Sequence, residues 1–189
     1  MNKADRIRAF IAVPVSAEVR RAVSDLQSTL RRRGVALRWV SPENVHFTLK
    51  FLGGIDPAIV PPLSEALQTL AKDVEAFDVR LGGLGAFPNL GAPRVFWAGV
   101  VNGAERLKTL ASEVSTVVKD FPTEADNKPF KPHLTLGRSK SRRSERLVIP
   151  PNLLQGTLGD FRCDRMVLMK SVLGPGGAQY TPLCEARLV

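Results

Sequence analysis

The chain has 189 residues, 44% hydrophobic and 24% charged, the balance of an ordinary soluble globular protein and enough for one well-buried core or two lobes packed together. Lys and Arg number 27 against 18 Asp and Glu, a net charge of +9 that suits a protein meeting polyanions, though ribosomal or membrane-surface association would give the same figure. No stretch approaches the roughly 18 apolar residues of a membrane span, and two cysteines, Cys163 and Cys184, are too few for a disulfide framework or a zinc site.

Residues 7–13 read as a strand, because the apolar run from Ala9 to Val15 contains Pro14 and is too short for a secretory core. Ser16 is a suitable N-cap for a helix over about 17–33, with Val19, Val23, Leu26 and Leu30 at helical spacing. Val35 to Val40 and Val45 to Leu52 read as strands around the turn residues Ser41 to Asn44. A second helix is expected from Pro61-Pro62 onward, and residues 77–82 and 94–101 are strand candidates joined by a Gly-, Pro- and Asn-rich loop over 82–93. A third helix is expected over 104–119, then a strand at His133, a basic, poorly structured segment, and two strands over 162–173 and 178–188 around the turn Gly174-Pro175-Gly176-Gly177. This mixed order with short links predicts α+β architecture with antiparallel sheets, within one domain covering 1–189.

The only two histidines lie in one frame, His46-Phe47-Thr48-Leu49 and His133-Leu134-Thr135-Leu136. Given nine Thr and 23 Leu in the chain, this coincidence has a chance of roughly one in 30,000, so the frame is treated as functional. On a strand, alternation sends Phe47, Leu49 and Phe51 to a core and leaves His46, Thr48 and Lys50 together on the other face. Leu134 and Leu136 go inward in the second copy, and His133 and Thr135 face out. Two such strands suggest two similar half-structures facing one cleft, which suits in-line displacement at phosphorus. The nucleophile and the leaving oxygen take opposite apices, one imidazole serving each, and the Thr hydroxyls donate to the non-bridging oxygens. This chemistry needs no metal and no cofactor.

Arg31, Arg32, Arg33 and Arg38 precede the first frame, and Arg138, Lys140, Arg142, Arg143 and Arg146 follow the second. They read either as an electropositive rim around the cleft or as a solvated helix end and a surface loop. Trp39 and Trp97 read as core residues, with stacking of one of them or Tyr180 on a nucleobase as the alternative. The lack of an export signal and the cysteine content point to a reducing cytoplasm, with Cys163 and Cys184 either close on neighbouring strands or separate inert thiols.

The stretches RAFIAVPV (8–15), RWVSPENVHFTLKFLG (38–53), GAFPNLGAPRVFWAGV (85–100), FKPHLTLGR (130–138) and LMKSVLGPGGAQYTPL (168–183) resemble the RNA 2′,3′-cyclic phosphodiesterases, also called the 2′-5′ RNA ligase family, of the two-histidine phosphoesterase superfamily. The resemblance implies a bilobal α+β fold of two pseudo-symmetric halves, each an antiparallel sheet with helices, around a central cleft. It also implies opening of a 2′,3′-cyclic phosphate on RNA to a 2′-phosphomonoester, and reversible 2′-5′ ligation of tRNA-like fragments. From the resemblance alone, His46 is the proton donor to the leaving 3′ oxygen and His133 the acceptor that activates water. Thr48, Thr135 and Arg138 match phosphate-contacting positions. Gly137 stands where many members carry Ala. RNA with a cyclic phosphate terminus, tRNA fragments included, is the expected partner, met by a monomer without a membrane. A small cyclic phosphodiester or 2′-5′ oligonucleotide as substrate, and a non-catalytic RNA-binding module, are the competing readings.

Overall fold

The structure, a computed structural model, describes residues 6–124, 129–140, 146–175 and 177–189. Strand β1 (Ile7–Pro14) sends Ala9, Ile11 and Val13 into the core and Phe10 and Ala12 to the opposite face. Helix α1 (Ala17–Arg32) starts where the Ser16 hydroxyl accepts a hydrogen bond from the Val19 amide, and its Val19, Val23, Leu26 and Leu30 form the buried stripe that the spacing predicts. Leu30 is completely buried, so Leu30→Ala costs about 2–5 kcal/mol.

Strand β2 (Leu37–Trp39), a short 3₁₀ turn at Pro42–Asn44, strand β3 (His46–Ile55) and helix α2 (Val60–Ala71) follow. Strands β4 (Phe77–Phe87) and β5 (Val95–Asn102) form a hairpin, helix α3 (Ala104–Val118) comes next, and β6 (Leu134–Ser139) carries the second frame. A four-residue helix α4 (Pro151–Leu154) leads into β7 (Thr157–Cys163), and β8 (Arg165–Gly174) and β9 (Gly177–Arg187) complete the chain around the expected turn.

Two antiparallel sheets result, one ordered β3-β1-β8-β9 and the other β2-β6-β5-β4-β7. The halves interleave in sequence. Helix α1 leaves the first sheet and packs on β7 of the second, while α3 leaves the second and packs on β3 of the first. Phe47 of β3 stacks on Phe161 of β7 with ring centroids 6.0 Å apart, so the two sheets share one buried core. Each sheet then has a second face turned away from that core, and both histidines are on those faces.

The elements depart from the expected ones at two places. Residues 82–87 belong to β4 and are not loop. Gly85 serves close packing, since a Cβ there would lie 2.4 Å from the Trp97 ring that crosses it. Strand β7 was not legible, because Gly159 (φ +101°) and Asp160 interrupt its apolar pattern. Cys163 and Cys184 are free thiols on different sheets, and burial pushes the Cys163 thiol up to about 12.

Candidate active site

His46 opens β3, and His133 stands one residue ahead of β6. Each ring is held in the same way. His46 Nδ1 donates to the Asn44 carbonyl at 2.7 Å, and His133 Nδ1 donates to the Lys131 carbonyl at 2.7 Å, two residues upstream in both cases. A carbonyl can only accept, so both Nδ1 atoms carry hydrogen and both Nε2 atoms are left for exchange of a proton. His46 Nε2 lies 3.0 Å from the Thr48 hydroxyl, as a period of two along a strand allows.

Aromatic rings support both imidazoles. Phe10 from the neighbouring strand stacks on His46 at 4.8 Å, and Tyr180 from β9 meets the same ring edge-on at 5.3 Å. On the other side Phe87 meets His133 edge-on at 5.0 Å. Asn44 links the first set together, since its side-chain amide donates to the Ala178 carbonyl of β9 at 2.9 Å while its own carbonyl holds His46.

The register departs from simple alternation at the same place in both frames. Thr48 pairs with Ala12 and Lys50 with Ile11, leaving Leu49 as an extra residue in β3. Thr135 pairs with Trp97 and Gly137 with Phe96, leaving Leu136 as an extra residue in β6. A bulge reverses the phase of the residues that follow it, in β3 as far as a second register shift at Leu52. Phe51, expected in the core, therefore lies opposite Phe10 on the histidine face and is 48% exposed, whereas Lys50 lies opposite the core residue Ile11. Arg138, five residues after His133, pairs with Val95 on the same face as Thr135. Without the bulge, a separation of three residues would place Thr135 and Arg138 on opposite faces.

The second bulge has a clamp. Gln27 of α1, only 1% exposed, donates to the Leu136 carbonyl at 3.1 Å and to the Val40 carbonyl at 2.8 Å. The sequence reading missed Gln27, although a glutamine inside the apolar stripe of α1 is a signal of its own: a buried amide must find partners. It also missed Asn44, Phe10 and Phe87, whose partners are distant in sequence.

Burial is the largest influence on both imidazoles and lowers their affinity for a proton, the upstream carbonyls offsetting part of that effect. The Arg138 charge lowers both further, and His133 lowers His46. Cleft residues from the two sheets therefore share one electrostatic field. Of the expected rim, Arg142 and Arg143 lie outside the described residues, and Arg31 lies over Trp39 at 5.7 Å. Arg38 stands beside Arg138. Among the described residues no group of three or more His, Cys, Asp and Glu is arranged to hold a metal ion.

Two antiparallel lobes around a cleft, each presenting the same His-x-Thr frame, define a phosphoesterase of the LigT-like class, and residues 13–97 match the LigT like Phosphoesterase family. Full-length relatives carry the assignment further. The chain is 34% identical to the RNA 2′,3′-cyclic phosphodiesterase of Methanothermobacter thermautotrophicus over 97% of this chain and 100% of that one. It is 33% identical to that of Thermotoga maritima over 96% and 95%. The crystal structure of TT0787 of Thermus thermophilus superposes with a TM-score of 0.80 at 33% identity, covering 96% of this chain and 98% of that chain. That of E. coli LigT complexed with 3′-AMP gives 0.81 at 28% identity, covering 97% and 99%. The chain belongs to the RNA 2′,3′-cyclic phosphodiesterase family.

Proposed function

We propose that the protein hydrolyses 2′,3′-cyclic phosphate ends of RNA to 2′-phosphomonoesters, with His46 and His133 as the acid and base. One observation carries the reading beyond family membership: both imidazoles are fixed through Nδ1 to a backbone carbonyl, so both present Nε2 to the cleft side of their strands. A protein that only bound RNA would need the basic surface but not two matched rings.

Neutral His133 takes a proton from water as the oxygen attacks phosphorus, and protonated His46 gives its Nε2 proton to the 3′ oxygen as the P–O3′ bond breaks. The product keeps the phosphate on O2′ and gains a 3′ hydroxyl. His46 is then neutral and His133 protonated, and exchange with solvent resets the pair. The labels acid for His46 and base for His133 follow the family resemblance, because the geometry itself is nearly symmetric. Thr48 and Thr135 donate to the non-bridging oxygens, and Arg138 offsets the charge that builds there. With a 5′ hydroxyl in place of water the same steps join two RNA ends through a 2′-5′ bond.

The reading extends to a monomer, because one chain supplies both histidines, and to a cytoplasmic location and tRNA fragments among the RNA substrates. No described helix is long and apolar enough to cross a membrane. The test is a short RNA ending in a 2′,3′-cyclic phosphate. A 2′-phosphate product is expected; a 3′-phosphate product or no turnover overturns the reading.

A further inference from the structure

Arg38 and Arg138 are direct register partners on adjacent antiparallel strands, β2 and β6. Residues paired in this way have their Cβ atoms about 5 Å apart on one face of the sheet, where like charges destabilise the pair. Both side chains are exposed, and neither forms an ion pair or side-chain hydrogen bond with another described residue. Two cations set side by side without a counter-charge among the described residues form an incomplete site, and the missing part is anionic.

The two guanidiniums are not equivalent. Strand β2 is the outer edge of its sheet, so Arg38 lies one strand further from the histidine-bearing strand than Arg138. In agreement, the charge of Arg138 acts on both imidazoles, and Arg38 is not among the charges that move either of them. A cyclic phosphate carries one negative charge, which Arg138 balances. That leaves Arg38 with a charge that the reacting phosphate does not need.

We propose that Arg38 and Arg138 form a two-phosphate clamp: Arg138 faces the reacting cyclic phosphate, and Arg38 binds the phosphodiester on the 5′ side of the terminal nucleoside. The clamp rests on the reading of the cleft as an RNA cyclic phosphodiesterase, and it makes this chain prefer an oligonucleotide end over a mononucleoside cyclic phosphate. The RNA leaves the cleft across the β2 edge, which no further strand covers among the described residues.

Three substrates and two variants test the clamp: adenosine 2′,3′-cyclic phosphate, the dinucleotide ApA with a 2′,3′-cyclic phosphate, and the same dinucleotide with an uncharged methylphosphonate linkage. Arg38→Gln is expected to raise KM for the charged dinucleotide about three- to tenfold with kcat nearly unchanged. It should reduce the log-log salt slope of dinucleotide binding by about 0.7. The mononucleotide and the methylphosphonate dinucleotide should not distinguish Arg38→Gln from the wild type, and Arg38→Lys should restore most of the dinucleotide affinity. The thermal midpoint of Arg38→Gln at low salt should equal or exceed that of the wild type, since an opposed like charge is gone. An equal loss on all three substrates, or no loss on any, overturns the clamp while leaving the phosphodiesterase reading intact. Failure of the wild type to open either the mononucleotide or the dinucleotide overturns the reading itself.

Discussion

Gln27 donates its buried side-chain amide to the carbonyl of Leu136, the residue that bulges from register between Thr135 and Arg138. A helix from the first part of the chain thus holds the strand that carries the second histidine. A one-residue slip on that strand turns its following side chains to the other face, and Arg138 would leave the cleft. Gln27→Met keeps the volume but removes both donors, leaving the Val40 carbonyl without this partner. It is expected to lower stability by about 1–3 kcal/mol and kcat/KM on adenosine 2′,3′-cyclic phosphate by about tenfold. In an Arg138→Ala background the kcat/KM loss should largely vanish, because the two residues act as a unit. Full additivity in that double-mutant cycle would show that Gln27 serves the fold alone.

Replacing His46 or His133 by Ala should each lower turnover by roughly 10²–10⁴-fold with a small effect on RNA affinity. The double variant should lose less than the product of the single losses. Thr48→Ala should be milder, and its first effect should fall on His46, whose Nε2 is 3.0 Å from that hydroxyl. Single-turnover rates settle each case, and a histidine variant with near-wild-type turnover would remove that residue from the mechanism.

Both imidazoles are lowered by burial and by the Arg138 charge, so in the free enzyme each loses its proton below the ordinary value of about 6.5. One must be protonated and the other neutral, which places the bell of kcat/KM against pH with its maximum on the acid side of 6.5. A bound phosphate monoanion favours the protonated rings and should move the kcat profile toward higher pH. Stability follows from the same shifts. The unfolded chain binds protons at these sites first as pH falls, so stability decreases between the unfolded and folded values, and His46→Gln should lessen that decrease. Urea midpoints at pH 7 and pH 5 measure it; an equal decrease in wild type and variant would exclude His46 as a source.

The two histidine frames, the three long helices and most strands were legible because their signals are local: a period of two, a period near 3.6, a cap at Ser16, a turn at Gly174. The interleaving of the halves was not. Nothing in the sequence of α1 says that it packs on β7, 120 or more positions away in chain order. Phe51 shows the limit most clearly. Alternation assigned it to the core, and the extra residue at Leu49 turned it out, a change that only pairing with β1 defines. The equivalent bulge at Leu136 is why Arg138 faces the cleft, so its place there rested on resemblance until the register was known.

Hydrolysis should be insensitive to EDTA. The only two histidines are each bonded through Nδ1 to the backbone, and their Nε2 atoms are assigned to proton transfer. A metal on either Nε2 would compete with the proton that the mechanism moves. Loss of activity in EDTA that a divalent ion restores would overturn the assignment of both rings.

Asn44 offers a way to separate the two imidazoles. Its amide ties the Ala178 carbonyl of β9 to the 3₁₀ turn before His46, and β9 also carries Tyr180 against the His46 ring. Asn44→Ala removes the tie but keeps the backbone carbonyl that accepts from Nδ1. If the tie keeps Tyr180 over the ring, water gains access to His46 in the variant, and the burial that chiefly lowers its proton affinity weakens. His46 should then titrate closer to 6.5, whereas His133, held by the Lys131 carbonyl and by Phe87, should not rise with it. The chain has only two histidines, so two imidazole resonances followed by NMR against pH resolve the outcome. A parallel shift of both would show that the substitution loosens the whole cleft, and no shift in either would show that Tyr180 stays in place without Asn44.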